Sequence, residues 1–129
     1  EATAGNTGLG IAFAALNKGC HVIFVVPTKF SEEKQTLLRA LGAEVINTPR
    51  EEGMLGASAK ADALRVEIPG AISLGQFVNP ANPRVHYETT GPEIYWDLNR
   101  KIDFLIAGAG SGGTYSGVVK KSGDTGHSG

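Results

Sequence analysis

A continuous apolar run, HVIFVVP at residues 21–27, constrains the fold of this chain more than any other feature. The run is rich in β-branched and aromatic residues, ends at Pro27 and lacks the alternation typical of a half-buried strand. Such a run is typical of a strand that is buried on both faces. The sequence therefore predicts a central strand of a parallel sheet.

Helical and extended patterns alternate around that strand. An Ala- and Leu-rich segment predicts a helix over about residues 7–18, and SEEKQTLLRALG predicts another, with Ser31 as its N-cap. A third helix is expected over 53–66. Three segments are expected to be strands or extended: AEVINT, AISLGQF and, as a buried strand, IDFLIAG. NPANPRVHYETTGPE is rich in Pro, Asn and Thr, which favours an ordered loop before the helix PEIYWDL.

This order predicts an α/β fold, an open parallel sheet with helices on both faces joined by right-handed crossovers. Ligands of such sheets bind at the carboxyl ends of the strands.

Charge and cysteine content limit the classes of function that are expected. Twelve basic and 13 acidic residues give a net charge of −1 without a basic stripe, so neither nucleic acid nor a membrane surface is an expected partner. Cys20 is the only cysteine and has no metal-ligand spacing around it, which indicates a reducing, cytoplasmic setting and no metal. We find no leader and no apolar run long enough for a bilayer, so a soluble protein acting on small molecules is expected.

The segment AGAGSGGTYSG, residues 107–117, follows a predicted strand and opens a predicted helix. Its glycines allow several backbone N–H groups to surround an anion, Thr114 adds a hydroxyl, and the helix N-terminus adds partial positive charge. These features predict a phosphate-binding loop. A dinucleotide site is disfavoured, because it needs a further strand and an acidic residue about 20 positions later. A tight turn that merely packs a helix on a sheet remains an alternative.

The opening segment, EATAGNTG, has the same combination of glycines and polar side chains before a predicted helix, and it predicts a binding site for a carboxylate. Thr3, Asn6 and Thr7 offer side-chain donors, and Gly5 and Gly8 allow close backbone approach just before a helix N-terminus. The alternative is a capping turn, because Asn and Thr often cap helices.

Four segments in order resemble the cysteine synthase and cystathionine β-synthase family of pyridoxal-phosphate enzymes, which have the tryptophan synthase β-like fold called fold type II. The segments are EATAGNTGLGIAFAA, KFSEEKQTLLRALGAEVINTP, QFVNPANPRVHYETTGPEIYWDL and FLIAGAGSGGTYSG, and the likeness extends over residues 1–119. The resemblance implies pyridoxal 5′-phosphate as cofactor and a β-replacement reaction. In that reaction O-acetylserine or serine loses its β-substituent and a sulfur nucleophile adds, giving cysteine or cystathionine.

The resemblance also assigns site residues. The loop that holds the cofactor phosphate corresponds to Gly110, Ser111, Gly112, Gly113 and Thr114. Residues that bind the substrate carboxylate correspond to Thr3, Ala4, Asn6, Thr7 and Gln76, and Asn6 also touches the hydroxyl oxygen of the cofactor ring. His86 has no partner residue in the sequence for acid–base catalysis, so a hydrogen-bonded scaffold role is expected for it.

Two departures from the family pattern bear on the substrate and on catalysis. Ala4 stands where common cysteine synthases have Ser, and the ATAGNTG form resembles the subgroup that uses homocysteine to make cystathionine. In the family, the lysine that forms a Schiff base with the cofactor precedes the asparagine loop, upstream of Glu1 here. None of the lysines of this chain lies in that motif, so no catalytic residue is assigned and the chain alone is expected to be inactive.

The resemblance implies a smaller, mobile, substrate-binding domain over 1–80 and the beginning of the larger cofactor domain over 81–121. The small polar residues of 122–129 predict a tail or indicate a gap in the sequence. A homodimer is implied by the family alone. A different class of function, a non-catalytic module that binds phosphate or another anion, uses the same loops and stays open.

Overall fold

The computed structural model describes residues 1–3 and 5–126. These residues form two compact units, one over Glu1–Leu74 and a second that begins at Gly75. The first unit is an α/β layer structure, whereas regular structure in the second is entirely helical in its described part.

The first unit contains a small parallel sheet. Strand β1, Ile23–Pro27, pairs in parallel with β2, Glu44–Thr48, with Val25 opposite Ile46. On its other side β1 receives the N-terminal segment, because Thr3 N–H donates to the Val25 carbonyl at 3.2 Å and Val25 N–H donates to the Glu1 carbonyl at 3.0 Å. The predicted central strand is therefore confirmed, flanked on both edges by parallel neighbours.

Helices cover both faces of this sheet. Helices α1 (Asn6–Ala15) and α2 (Glu32–Ala40) pack on one face, where Phe24 and Val26 are buried. Helix α3 (Gly53–Glu67) packs on the other face, against Val25. Successive side chains of a strand point to opposite faces, so an uninterrupted apolar run supplies both cores.

Local sequence signals explain the boundaries of these helices. The Ser31 side chain accepts a hydrogen bond from Lys34 N–H at 3.4 Å, and Glu32 and Glu33 occupy the first turn of α2. Gly42 follows α2 with φ of +85°, a conformation that glycine adopts without strain. The predicted N-cap and exit of this helix are thus confirmed.

The second unit differs from the prediction over residues 79–93. In place of an ordered loop, the chain forms α4 (Ala81–Val85), a π-helical turn (His86–Thr90) and α5 (Gly91–Asp97). Asn79 Oδ1 accepts the N–H of Ala81 at 2.9 Å, which caps the run. Proline is tolerated in a first helical turn because the N–H groups there have no partner within the helix. The Asn and Pro residues were signals of a helix start, and the loop prediction is wrong.

A second correction concerns IDFLIAG, residues 102–108. The segment has no regular secondary structure, and Phe104 and Ile106 are 89% and 96% exposed. A strand requires a neighbour that accepts and donates ladder hydrogen bonds, and the described residues provide none for this segment. AISLGQF likewise joins no sheet and ends in a turn.

The last helix, α6, extends over Gly113–Gly126 and packs against α4, the π-helical turn and α5. It includes residues 122–126 of the segment for which a polar tail is predicted; residues 127–129 of that segment lie outside the described part. The division into a mobile domain over 1–80 and a cofactor domain from 81 stays a prediction.

Candidate functional site

The opening loop lies at the carboxyl end of the short N-terminal strand segment and leads into α1. Thr3 is only 1% exposed, and its Oγ1 accepts hydrogen bonds from Gly8 N–H at 3.1 Å and Gly5 N–H at 3.4 Å. A Cβ at Gly8 would lie 2.7 Å from Thr3 Cγ2, so the absence of a side chain there permits this contact. Thr3 therefore supports the loop through these two hydrogen bonds.

Asn6 and Thr7 occupy the first two positions of α1, where backbone N–H groups have no partner within the helix. Asn6 is exposed and Thr7 is half-buried. These two residues thus stand at the carboxyl edge of the parallel sheet, where ligands of such sheets bind. Ala4, the remaining predicted contact in this loop, lies outside the described residues.

The second glycine-rich loop belongs to the second unit. Gly112 has φ of +81°, which an L side chain would strain, and Gly113 is buried at the first position of α6. Gly110, Ser111 and Thr114 are exposed. The loop therefore presents hydroxyl groups at a helix N-terminus, where the Gly113 N–H donates to Ser111 Oγ at 3.4 Å.

Two side chains from the α4 region hold the hydroxyls of this loop. Asn82 Nδ2 donates to Ser111 Oγ at 2.8 Å and to the Gln76 carbonyl at 2.9 Å. His86 Nε2 lies 3.1 Å from Thr114 Oγ1. Asn82 and His86 are four residues apart, one helical turn, so a single helical run supports both hydroxyls.

Gln76 is half-buried beside the loop, and its predicted role is to bind a carboxylate. It lines a cavity of about 180 Å³ together with Asn79, Asn82, Ser111 and the glycines at 112 and 113. None of the described residues that line this cavity carries a charged side chain. The cavity thus offers neutral amide, hydroxyl and backbone donors to an anion.

Electrostatic features near the site are few. On the exposed side of the helical run, Arg84 Nε donates to Glu88 Oε1 at 2.7 Å, and this hydrogen bond and the carboxylate charge raise the pKa of the Arg84 guanidinium. Over residues 1–3 and 5–126 we find no cluster of three or more His, Cys, Asp or Glu side chains suited to a metal ion. The described helices include none of the length and apolar character that a membrane span requires.

Sequence reasoning missed Asn82, whereas the hydrogen-bonded scaffold role expected for His86 is confirmed by its contacts with Thr90 and Thr114. Both lie in NPANPRVH, and their i, i+4 spacing identifies them as neighbours on one helix face only if the segment is read as a helix. Because the loop interpretation hid that periodicity, their common orientation toward the glycine-rich loop could not be inferred.

Comparisons with known proteins agree with this geometry. A family profile described as pyridoxal-phosphate dependent enzyme matches residues 1–127. An O-acetylserine dependent cystathionine β-synthase of Bacillus subtilis (strain 168) is 50% identical over 119 residues, which cover 92% of this chain and 39% of that protein. A cysteine synthase of Helicobacter pylori (strain J99) is 49% identical over 120 residues, with 93% and 39% covered.

A solved structure gives the same result for the fold. The crystal structure of O-acetylserine dependent cystathionine β-synthase from Helicobacter pylori superposes with a TM-score of 0.91 at 46% identity, covering 95% of this chain and 40% of that one. The chain spans about two fifths of the length of these relatives. It belongs to the family of pyridoxal-phosphate-dependent enzymes, with the cysteine synthases and cystathionine β-synthases as its relatives.

Proposed function

We propose that the complete protein carrying this sequence is a pyridoxal-phosphate-dependent β-replacement enzyme that makes cysteine or cystathionine. The substrates are O-acetylserine or serine and a sulfur nucleophile. The observation that carries the proposal is the second glycine-rich loop, where Ser111 and Thr114 are held by Asn82 and His86 beside the N-terminus of α6. The identity of 50% to an O-acetylserine dependent cystathionine β-synthase supports the reaction class.

The residues of this loop fit the phosphate group of the cofactor. A phosphate dianion is well bound by backbone N–H groups and hydroxyls at a helix N-terminus. Gly112 has a positive φ that favours glycine, and the adjoining cavity contains no carboxylate among its described lining residues. We therefore assign the phosphate to Gly110, Ser111, Gly112, Gly113 and Thr114.

The first loop is assigned to the amino-acid substrate. Asn6 and Thr7 bind its α-carboxylate with side-chain donors in the first turn of α1, and Asn6 also contacts the ring hydroxyl of the cofactor. Gln76 is a further carboxylate ligand in this proposal. Thr3 contributes by fixing the loop through Gly5 and Gly8, because its own hydroxyl is buried.

When bound, pyridoxal phosphate supplies an electron sink for the carbanion that forms at the substrate Cα. The residues of this chain contribute binding and orientation. Neutral side-chain donors of the two loops hold the two anions. We propose that the lysine bonded covalently to the cofactor is none of the lysines in this sequence.

The test uses the complete polypeptide as it is encoded, loaded with pyridoxal phosphate and supplied with O-acetylserine and sulfide. Formation of cysteine, detected by mass spectrometry, is expected. Borohydride reduction followed by peptide mapping is expected to label a lysine outside residues 1–129. Failure to form a thioether or thiol product with any combination of O-acetylserine, serine, sulfide and homocysteine would remove the proposal.

A second candidate acceptor is homocysteine, which gives cystathionine. Ala4 favours it, because the ATAGNTG form resembles the homocysteine-using subgroup, and the Bacillus subtilis relative is named for that reaction. Competition between equal concentrations of sulfide and homocysteine decides the acceptor. An Ala4→Ser variant is expected to shift the product ratio toward cysteine.

A non-catalytic anion-binding module is the alternative of another class. Calorimetric titration with inorganic phosphate and O-acetylserine distinguishes it, because such a module binds these ligands and yields no product. The proposal also includes a homodimer, a cytoplasmic location and no role for nucleic acid or membrane. Sedimentation analysis of the complete protein tests the dimer, and cell fractionation tests the location.

A further inference from the structure

The imidazole of His86 bridges two hydroxyl groups. Its Nδ1 lies 2.9 Å from Thr90 Oγ1, at the end of the π-helical turn, and its Nε2 lies 3.1 Å from Thr114 Oγ1, in the first turn of α6. The side chain is half-buried. With a hydrogen-bond partner at each nitrogen, the ring has one orientation in which both contacts form.

A tight helix contact brings Thr114 within reach of His86. Gly117 follows Thr114 by three residues, and a Cβ there would collide with the Pro83 carbonyl, His86 Cβ and Tyr87 N. The missing side chain lets α6 approach the helical run that carries His86. The distance between the imidazole and the Thr114 hydroxyl is thus set by backbone packing.

A neutral imidazole carries one N–H, so the bridge has two forms. With the proton on Nε2, the ring donates to Thr114 Oγ1, Nδ1 accepts from Thr90, and the Thr114 hydroxyl proton is left for another acceptor. With the proton on Nδ1, Nε2 accepts a hydrogen bond from the Thr114 hydroxyl. The threonine then presents only lone pairs to an anion, which repels them.

The neighbouring pair, Asn82 and Ser111, provides a parallel for the first form. Asn82 Nδ2 donates to the Gln76 carbonyl, a group that can only accept, so the orientation of the amide is fixed. The same nitrogen faces Ser111 Oγ, which must therefore accept. The hydroxyl proton of Ser111 is left available to a ligand, just as the first form of the His86 bridge leaves that of Thr114.

We propose that His86 is a positioning residue that, with its proton on Nε2, directs the Thr114 hydroxyl proton toward the phosphate of the cofactor. The inference rests on the proposed function, in which this loop binds that phosphate. It assigns no proton transfer to His86. Its role is to make one hydroxyl a donor before the anion arrives, which removes the free-energy cost of reorienting it.

Three variants of the complete polypeptide test the role: His86→Leu removes the donor, His86→Gln keeps an N–H near the position of Nε2, and Thr114→Val removes the hydroxyl. The affinities of the apoprotein for pyridoxal phosphate and for pyridoxal, which lacks the phosphate, are measured by fluorescence titration. We expect His86→Leu and Thr114→Val each to weaken pyridoxal phosphate binding about tenfold, the range of one hydrogen bond to a charged group. Binding of pyridoxal is expected to change less than twofold.

Two further readouts separate positioning from a structural role. His86→Gln is expected to recover most of the affinity, and His86→Leu is expected to have no added effect in a Thr114→Val background. In ¹⁵N NMR spectra of the loaded protein, the His86 ring is expected to carry its proton on Nε2. A general loss of fold in His86→Leu would weaken pyridoxal binding equally, and that result would contradict the role.

The outcomes distinguish this inference from the proposed function. If the wild-type protein binds pyridoxal phosphate no more tightly than pyridoxal, the phosphate loop is wrongly assigned and both proposals fall. If Thr114→Val weakens binding and His86→Leu does not, or if the proton resides on Nδ1, only the role of His86 is overturned.

Discussion

The threonine hydroxyls of the two glycine-rich loops differ in burial and in hydrogen-bond partners. In the first loop, Thr3 is buried and its oxygen accepts the N–H groups of Gly5 and Gly8. In the second loop, Thr114 is exposed and its oxygen is held by His86, a residue 28 positions away. The first hydroxyl stabilises its own loop, and the second is supported from outside and faces solvent.

The burial of the threonine hydroxyl separates two loops that are similar in sequence. Both contain Thr and Gly just before a helix, so their sequences predict anion binding equally well. A hydroxyl can contact a ligand only where the fold leaves it accessible, and Thr3 is buried whereas Thr114 is exposed. By that criterion Thr114 is the better candidate for a ligand contact, while Thr3 supports its own loop through Gly5 and Gly8.

The largest expected effect comes from the packing that supports the second loop. Gly117→Ala places a methyl group against the Pro83 carbonyl and the backbone of Tyr87, neither of which can rotate away. We expect a loss of about 3 kcal/mol in the free energy of unfolding, at the upper end of overpacking effects. Urea denaturation followed by circular dichroism measures it.

Gly123→Ala is the matched control in the same helix. No atom lies within 4 Å of the Cβ position at Gly123, and alanine has the higher helix propensity. A gain of up to about 1 kcal/mol is expected there. Equal losses for both variants would show that α6 does not depend on close approach at Gly117.

The next prediction compares the two loops directly, through a threonine-to-valine substitution in each. Thr3→Val leaves the Gly8 N–H buried without an acceptor, so we expect a loss of about 2 kcal/mol in unfolding free energy. Thr114→Val changes an exposed position and is expected to alter stability by less than about 0.5 kcal/mol. Thr3→Ser, which keeps the oxygen, is the control and is expected to retain more than half of the stability lost in Thr3→Val.

The comparison would fail if the two valine variants behaved alike in urea denaturation. The comparison would be strengthened if Thr3→Val lowered the free energy of unfolding without changing the affinity of the folded protein for inorganic phosphate. Thr114→Val would then lower that affinity without changing the free energy of unfolding. Isothermal titration calorimetry with phosphate supplies the second measurement.

The smallest loss of stability expected among the glycine substitutions concerns the contact between Asn82 and Gly113. A methyl group at Gly113 collides with the Asn82 amide, the movable end of a side chain. Gly113→Ala is therefore expected to cost only about 1 kcal/mol. Displacement of the amide frees Ser111, and we expect phosphate affinity to fall about tenfold, as for one charge-assisted hydrogen bond.

Asn82→Ala is the matched partner variant. Since it removes the amide that Gly113→Ala displaces, the double variant is expected to bind phosphate no more weakly than Asn82→Ala alone. Additive losses of affinity would mean that the two residues act on the phosphate independently.

Much of the first unit could be predicted because its signals are local. The HVIFVVP run specified β1, and Ser31 with Glu32 and Glu33 specified the start of α2. These features depend on residues a few positions apart, which sequence patterns record directly. The family was likewise evident from four short segments in order, and the match over residues 1–127 confirms it.

Prediction failed where partner segments decide the conformation. IDFLIAG is as apolar as HVIFVVP, yet it forms no strand in the described part of the chain, because a strand exists only with a hydrogen-bonding neighbour. NPANPRVHYETTGPE was interpreted as a loop from composition, although Asn79 and the prolines suit a capped helix start.

Local sequence patterns predicted the α/β class, the strands β1 and β2, the helices around them and the family of the chain. The burial of Thr3, the contact of Asn82 with Ser111 and the contact of His86 with Thr114 depend on tertiary packing. Sequence patterns miss such contacts because their partners lie far apart along the chain. The last two contacts join residues 29 and 28 positions apart, and such distances are fixed by how helices pack, not by any local preference of the residues involved.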